Sequence, residues 1–309
     1  MLESSDLATA RAASDVISRL PLPRHTIGIT GPPGAGKSTL VSYAVELYRK
    51  QNEKVGVLAV DPSSPFTGGA LLGDRIRMSN HRQDAGVFIR SMGSRGASGG
   101  LASAASDSLR VLAAAGFQTV FLETVGAGQA ETEVVNLADT VCVVQVPGLG
   151  DDVQLMKMGM LEIADVFVVN KGDKPEAEEL KLQLEIAVND NRSTVCRALR
   201  QLGKSFAASY SGPLWTPPVV LLSALRQTNG EALIEACRRH LEFLRQPELA
   251  TALKRNRLLH EIVWRSGTRF QDQLALQLAP GGKFSADLDA CVNGSMSLDQ
   301  AVSKVLGSA

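Results

Sequence analysis

One run limits what this chain can fold into more than any other: Gly31-Pro32-Pro33-Gly34-Ala35-Gly36-Lys37-Ser38-Thr39. It reads G-x-x-x-x-G-K-S and lies between an apolar, strand-like stretch (Thr26–Thr30) and a helix-like one (Thr39–Arg49). Strand, loop and helix in that order are what the pattern requires of its surroundings. In that context successive backbone N–H groups ring a chain of phosphates, and the helix N-terminus adds a favourable dipole. Lys37 would reach the β- and γ-phosphates, and Ser38 would ligate Mg²⁺. The bland alternative is a Gly-rich turn that binds nothing, and Lys-Ser in register argues against it. The implied ligand is a nucleoside triphosphate. Neither its base nor the use of its energy follows from the loop.

Further along, short apolar runs alternate with longer helical segments, as in a parallel sheet wrapped by helices. The expected strands are Thr26–Thr30, Val55–Val60, Val87–Arg90, Thr119–Glu123, Thr140–Val146, Val166–Asn170 and Val219–Ser223. Several are apolar almost throughout, which fits strands covered on both faces. Ligands of such sheets sit beyond the carboxyl ends of the strands. The polar motifs fall there, after the first strand, at Asp61, at Glu123, at Asn170 and at Ser223. The fold class expected is α/β, a P-loop NTPase with a mostly parallel central sheet flanked by helices.

After Pro247 the character changes. Glu248 to Leu278 reads as one long helix with Leu249, Leu253, Leu259, Ile262, Val263, Phe270 and Leu274 roughly on one stripe, ended by Pro280-Gly281-Gly282. Shorter helices are expected near Ala286–Val292 and Leu298–Leu306. This tail is too thin to bury a core of its own, so the stripe is expected to pack on the main domain or, in a homodimer, on a second copy. Residues 5–20 read as a short amphipathic N-terminal helix. The expected division is residues 1–24, a domain over 25–246, and a C-terminal helical dimerisation arm over 247–309.

Lys+Arg and Asp+Glu both number 32, and this neutral balance argues against nucleic acid as a partner. No apolar run is long enough for a membrane span. Met1–Leu20 interleaves charged with apolar residues and lacks the core of a signal peptide. A cytoplasmic location is expected. Cys142, Cys196, Cys237 and Cys291 are far apart in sequence and form no C-x-x-C pair, so neither disulfides nor zinc are indicated. His25, His81, His240 and His260 are isolated too and read as surface or packing residues.

The base is read from Asn170-Lys171-Gly172-Asp173 after the apolar Val166–Val169. N-K-x-D is the guanine-reading pattern of GTPases. Its Asp accepts from guanine N1–H and the exocyclic amino group, and a base lacking that donor pair leaves the carboxylate unpaired. Ser223-Ala224-Leu225 resembles the last guanine-contacting loop. Three carboxylates are candidates for the metal. Asp61 and Glu123 stand at strand ends, and Asp74 lies in Gly73-Asp74-Arg75. Mg²⁺ takes one or two carboxylates with phosphate and water. Asp61 also fits a turn or cap role before Pro62-Ser63-Ser64-Pro65. Glu123 occupies a Walker-B position, and Gly126 would donate its N–H to the γ-phosphate. The Gly-rich stretches Phe66–Gly73 and Gly93–Gly100 read as switch-like, with Arg95 either a charge stabiliser or a solvated loop residue. Gln129, the nearest water-orienting side chain, lies further past Glu123 than a D-x-x-G-Q arrangement would place it.

Val57 to Met78, Glu123-Thr124-Val125-Gly126, Pro147-Gly148-Leu149-Gly150-Asp151 and Asn170–Asp173 together resemble the MeaB/ArgK family of P-loop GTPases over about residues 25–280. The resemblance implies a GTPase chaperone of an adenosylcobalamin-dependent acyl-CoA mutase. Such a chaperone gates cofactor loading and protects or rescues the mutase, and its own hydrolysis is slow until the mutase binds. It implies Mg²⁺ with GTP or GDP as ligands, and a homodimer through the C-terminal arm. Lys37 and Ser38 match the phosphate lysine and metal ligand, and Asp61, Asp74 and Glu123 match the metal and catalytic acids. Switch I maps to Phe66–Met78, switch II to Glu123–Glu133, and a third switch to Gly148–Lys157. Lys157 is then a candidate for communication with nucleotide or partner, or a surface helix lysine. The chain departs from the pattern in its short N-terminus and in the small residues of Gly96–Gly100 and Gly126–Ala130. Those departures leave open another acyl-CoA mutase, such as the 2-hydroxyisobutyryl-CoA type. A kinase linked to lysine/arginine/ornithine transport and a metal-insertion GTPase are the other readings. The second of these would want a His- or Cys-rich tract.

Overall fold

The computed structural model describes residues 13–61, 81, 83–93, 100–124, 136–148, 160–190 and 196–307. The apolar runs become the strands β1 (His25–Thr30), β2 (Val55–Asp61), β3 (Val87–Gly93), β4 (Thr119–Thr124), β5 (Thr140–Gln145), β6 (Val166–Val169) and β7 (Val219–Leu221). Each expected strand is present, with ends shifted by a few residues at most. They form a seven-stranded sheet in the order β3-β2-β4-β1-β5-β6-β7. Every pairing is parallel, so each connection must cross over a face of the sheet.

The helices that cover those faces are α1 (Lys37–Lys50), α2 (Gly100–Ala114), α3 (Met160–Ile163), α4 (Ala177–Asp190), α5 (Arg197–Ser209) and α6 (Gly230–Leu244). Alternation along each strand divides the core. Cys142 and Val144 of β5 face the cluster built by Leu40, Val41 and Leu47 of α1 and Leu233 and Ile234 of α6. Val141 and Val143 face α4 through Leu180 and Leu184. Leu58, Val60, Val120 and Leu122 pack on Leu109 and Leu112 of α2. Two-sided burial is why these strands carry little polar alternation. Each large aliphatic side chain so buried contributes about 1.5–3 kcal/mol.

The long helix α7 spans Pro247–Leu278, one residue earlier than its expected start, and α8 (Ser285–Val292) and α9 (Leu298–Leu306) follow. The chain divides into two compact units, Met1–Leu258 and Leu259–Ala309. In the first, Leu249 of α7 is fully buried in a cluster with Trp215 and Phe243. In the second, Lys304 of α9 binds Asp287 of α8 at 2.6 Å, and a Ser297–Gln300 capping box opens α9. Of the expected N-terminal helix, residues 13–17 are described and helical. Ser14 donates to Asp107 of α2 at 2.8 Å.

At the amino edge of the sheet, polar side chains are buried in a chain that the isolated histidines of the sequence did not announce. Thr140 Oγ1 lies 2.8 Å from His25 Nε2 and 2.9 Å from His240 Nδ1. Asp165 accepts from Val141 N–H at 2.8 Å and from Arg197 Nε at 2.8 Å. Its other oxygen is 3.3 Å from His240 Nε2. Arg197 also donates to the Asp139 carbonyl at 2.6 Å. Cys142 and Cys237, remote in sequence, approach to 3.6 Å between sulfurs. Burial lowers both histidines from 6.5 to about 4, and the Asp139 and Asp165 carboxylates only partly oppose it.

Two tests follow from this edge. A histidine whose folded pKa is depressed is protonated more readily in the unfolded chain. Its effect on stability is nil above the unfolded value and unfavourable below it. The unfolding free energy should therefore fall as pH drops from 6.5 towards 4, by on the order of 3 kcal/mol per histidine. Denaturant titrations across that window should show a shallower slope in His25→Gln. Arg197→Ala, which strands the buried Asp165 carboxylate, should cost about 3–5 kcal/mol in the same measurement at neutral pH.

Candidate functional site

The parallel register gathers one end of β1, β4, β5, β6 and β7. Ile29 pairs with Glu123 and Thr30 with Val143, so the chain leaves β1 between β4 and β5. Gly31 has φ 140°, and a Cβ there would lie 2.2 Å from the Val144 carbonyl oxygen. Only glycine lets the loop pass so close to the neighbouring strand. Pro32, Pro33, Gly34 and Ala35 carry the loop over the strand ends. Gly36, at φ 83°, precedes the first turn of α1. Lys37 and Ser38 open that helix, with Thr39 in the same turn, so the helix N-terminus faces the loop.

Lys37 is buried. Its ammonium donates to the carbonyls of Gly31 at 2.8 Å and Pro32 at 3.1 Å. Those bonds hold the cation over the loop, where phosphate oxygens would meet it. Ser38 Oγ donates to Glu123 Oε1 at 2.5 Å. Glu123 is the last residue but one of β4 and is 5% exposed. A hydroxyl and a carboxylate in contact at the head of α1 are hard oxygen donors. They match what Mg²⁺ accepts beside phosphate and water. Asp61 ends β2 in register with Gly93 at the same edge. Asp74, Gly126 and Lys157, expected as site residues, lie outside the described residues, as do Arg95, Gln129 and most of the three expected switches. Among the described residues no group of three or more His, Cys, Asp or Glu side chains is placed to hold a metal ion.

The second half of the site comes from the ends of β6 and β7. Asn170 is 3% exposed, and both ends of its amide are engaged. Nδ2 donates to the Ala35 carbonyl at 2.8 Å. Oδ1 accepts from Lys171 N–H at 2.8 Å and from Ala224 N–H at 3.0 Å. One side chain thus ties the loop after β1 to the loops after β6 and β7. A Cβ on Gly36 would come within 2.6 Å of Asn170 Nδ2, so this glycine serves the approach of Asn170 as well as the turn. Lys171, at φ 60°, sends its ammonium to the Gly34 carbonyl at 3.0 Å. Gly172 donates its N–H to the Leu222 carbonyl at 2.8 Å. Asp173 accepts from Ser223 Oγ at 2.6 Å. The Ser223 hydroxyl, then the backbone, hold its carboxyl below the usual range, so the group is an ionised acceptor. Ala224 is buried, and Leu225, 80% exposed, offers apolar surface beside them.

The structure therefore brings together Gly31–Thr39, Glu123, Asn170, Lys171, Asp173 and Ser223–Leu225 as one composite site. Sequence reasoning missed Tyr43. Its hydroxyl donates to the Gln227 carbonyl at 2.8 Å and accepts from Gly230 N–H at 3.3 Å. A tyrosine on an amphipathic helix reads as core, and no local signal marks its distant partners.

Comparison with known proteins agrees with this geometry. The family model described as methylmalonyl Co-A mutase-associated GTPase MeaB matches residues 3–275. A protein of Pyrococcus abyssi named as a GTPase is 48% identical over 238 residues, which cover 77% of this chain and 69% of that protein. The mitochondrial methylmalonic aciduria type A homolog of Mus musculus is 31% identical over 238 residues, covering 77% of this chain and 53% of that protein. A crystal structure of a LAO/AO transport system kinase superposes with TM-score 0.61 at 24% identity, covering 99% of this chain and 89% of that one. This last likeness is one of fold.

Asn170→Ala removes its three side-chain bonds, two of which tie separate loops together. It should weaken GDP binding by at least about tenfold in isothermal titration, because each lost buried hydrogen bond is worth about 1 kcal/mol. Asn170→Asp keeps the acceptor and should lose less.

Proposed function

The chain belongs to the MeaB family of methylmalonyl-CoA mutase-associated GTPases, and from that premise we propose that its GTP cycle serves an adenosylcobalamin-dependent acyl-CoA mutase. In this reading the GTPase gates loading of the cobalamin cofactor and protects or reactivates the mutase. The chain converts GTP to GDP and phosphate. The observation that carries the proposal is the extent of the family match, which runs through both halves of the nucleotide site into the long helix α7.

The site's chemistry supports a slow, partner-dependent hydrolase. Phosphoryl transfer is catalysed mainly by positioning and charge neutralisation. The phosphate loop and Lys37 provide both. Ser38 and Glu123 would hold Mg²⁺, with Asp61 and Asp74 as the further acids implied by the family pattern. The ion, when bound, neutralises charge on the β- and γ-phosphates. Glu123 already accepts the Ser38 hydroxyl, which suits it to supporting the metal more than to taking a proton from water. The step left for a partner is orientation of the attacking water, with Gly126 and Lys157 in segments that would respond to it. The exposed apolar residues Leu259, Ile262 and Val263 fit burial against a second copy, as a homodimer through the C-terminal arm requires.

The test is capture by the immobilised chain, loaded with a non-hydrolysable GTP analogue or with GDP, followed by turnover assays with the captured enzyme purified. A corrinoid acyl-CoA mutase should be retained in a nucleotide-dependent way and should raise GTP turnover by about tenfold or more. Fast turnover by the isolated chain, or capture of no corrinoid enzyme, would contradict the proposal. Phosphate transferred to a protein acceptor would favour the kinase reading.

A further inference from the structure

Helix α1 touches the base-reading loop from behind as well as carrying the phosphate ligands at its head. Residues 223–230 form a tight return. Ser223 and Thr228 exchange backbone bonds of 3.3 and 3.1 Å. Two residues of the return that are not glycine, Gln227 at φ 53° and Asn229 at φ 58°, occupy the left-handed region. Such backbone persists only where surrounding contacts over-determine it. Three side chains supply them. Asn229 Nδ2 donates to the Leu221 carbonyl at 2.6 Å. Gln227 Nε2 donates to Glu46 of α1 at 2.8 Å. Tyr43 Oη, on the same helix, donates to the Gln227 carbonyl and accepts from Gly230 N–H.

The tyrosine contact is the buried one. Tyr43 is 5% exposed, and its ring lies so close to the return that a Cβ on Gly230 would be 2.4 Å from Cε1. The near end of the same return carries the groups that face the base. Ser223 Oγ donates to Asp173 at 2.6 Å and accepts from Arg226 N–H at 3.3 Å. Ala224 N–H donates to Asn170 at 3.0 Å. The Tyr43 hydroxyl thus holds one end of a short, strained loop whose other end aims the Asp173 carboxylate. Ser38, at the phosphate end, lies on the same helix.

We propose that Tyr43 is a positioning residue for base selectivity. Its hydroxyl fixes residues 223–229, and through Ser223 it fixes the orientation of Asp173 towards the N1–H and 2-amino donors of guanine. It touches neither the base nor the phosphates. The inference rests on Asp173 as the guanine reader and deepens that reading by naming what holds the reader in place.

A plain core role for the hydroxyl would lower stability and weaken every nucleotide alike. A positioning role acts selectively on the base. The experiment compares GDP with inosine diphosphate, which lacks the 2-amino group, by isothermal titration on wild type and Tyr43→Phe. Wild type should prefer GDP. In Tyr43→Phe, GDP affinity should fall about three- to tenfold, the scale of one buried hydrogen bond. Inosine diphosphate should lose less, so the preference shrinks. Steady-state assays should show KM for GTP rising by a larger factor than kcat falls. Asn229→Ala, at an exposed position, releases the loop from the other side and should shrink the preference in the same direction. It keeps the test open if the core variant folds poorly. An unchanged preference in both variants overturns the proposal, whether affinity falls equally for the two nucleotides or does not fall. A wild type that binds both equally overturns it together with the base-reading role of Asp173.

Discussion

The amide of Asn170 is the contact on which the site depends. It joins three segments that are far apart in sequence, at Ala35, Lys171 and Ala224. A buried amide has two donors and two acceptor sites, and leaving them unmet costs more than the bonds return. Here both ends are engaged, so the phosphate loop and the base loops cannot separate without stranding them. Glycine at position 36 is what lets the amide approach. The spacing between the loop after β1 and the loops after β6 and β7 is therefore held by the Asn170 amide, with the Lys171 ammonium beside it on Gly34.

The sheet makes that economy possible. Parallel strands covered on both faces bring every carboxyl end to one edge, and the polar groups of the site have only that edge to occupy. The opposite edge solves a different problem. There Thr140 bridges His25 and His240, and Arg197 pairs with Asp165, all buried. The helix α1 links the two halves of the site: Ser38 at its head meets Glu123, and Tyr43 further along meets the loop at Gln227 and Gly230.

Much of this was legible in the sequence because the signals are local. The seven apolar runs, the phosphate loop and N-K-x-D are each written in a handful of adjacent residues, and their places after strands follow from the period of the pattern. What was not legible is long-range. Nothing near Asn170 indicates Ala35, 135 positions away, and nothing near Tyr43 indicates Gln227, 184 positions away. The histidines looked isolated because their partners are neighbours only across strands and helices. Strand ends shifted by up to a few residues for a similar reason: where pairing stops depends on the neighbouring strand. Asp61 could be placed by its strand, whereas Asp74, Gly126 and Lys157 belong to segments outside the described residues and rest on the family pattern alone.

The central claim is that the composite site selects GTP through Asp173 and hydrolyses it with the phosphate loop. Its most direct test is the nucleotide preference of Asp173→Asn, measured as kcat/KM for GTP and for xanthosine triphosphate. Xanthine presents an acceptor where guanine presents its amino donor, so the account predicts that GTP turnover falls by at least about a hundredfold while xanthosine triphosphate becomes the better substrate. Unchanged use of GTP by the variant would contradict it.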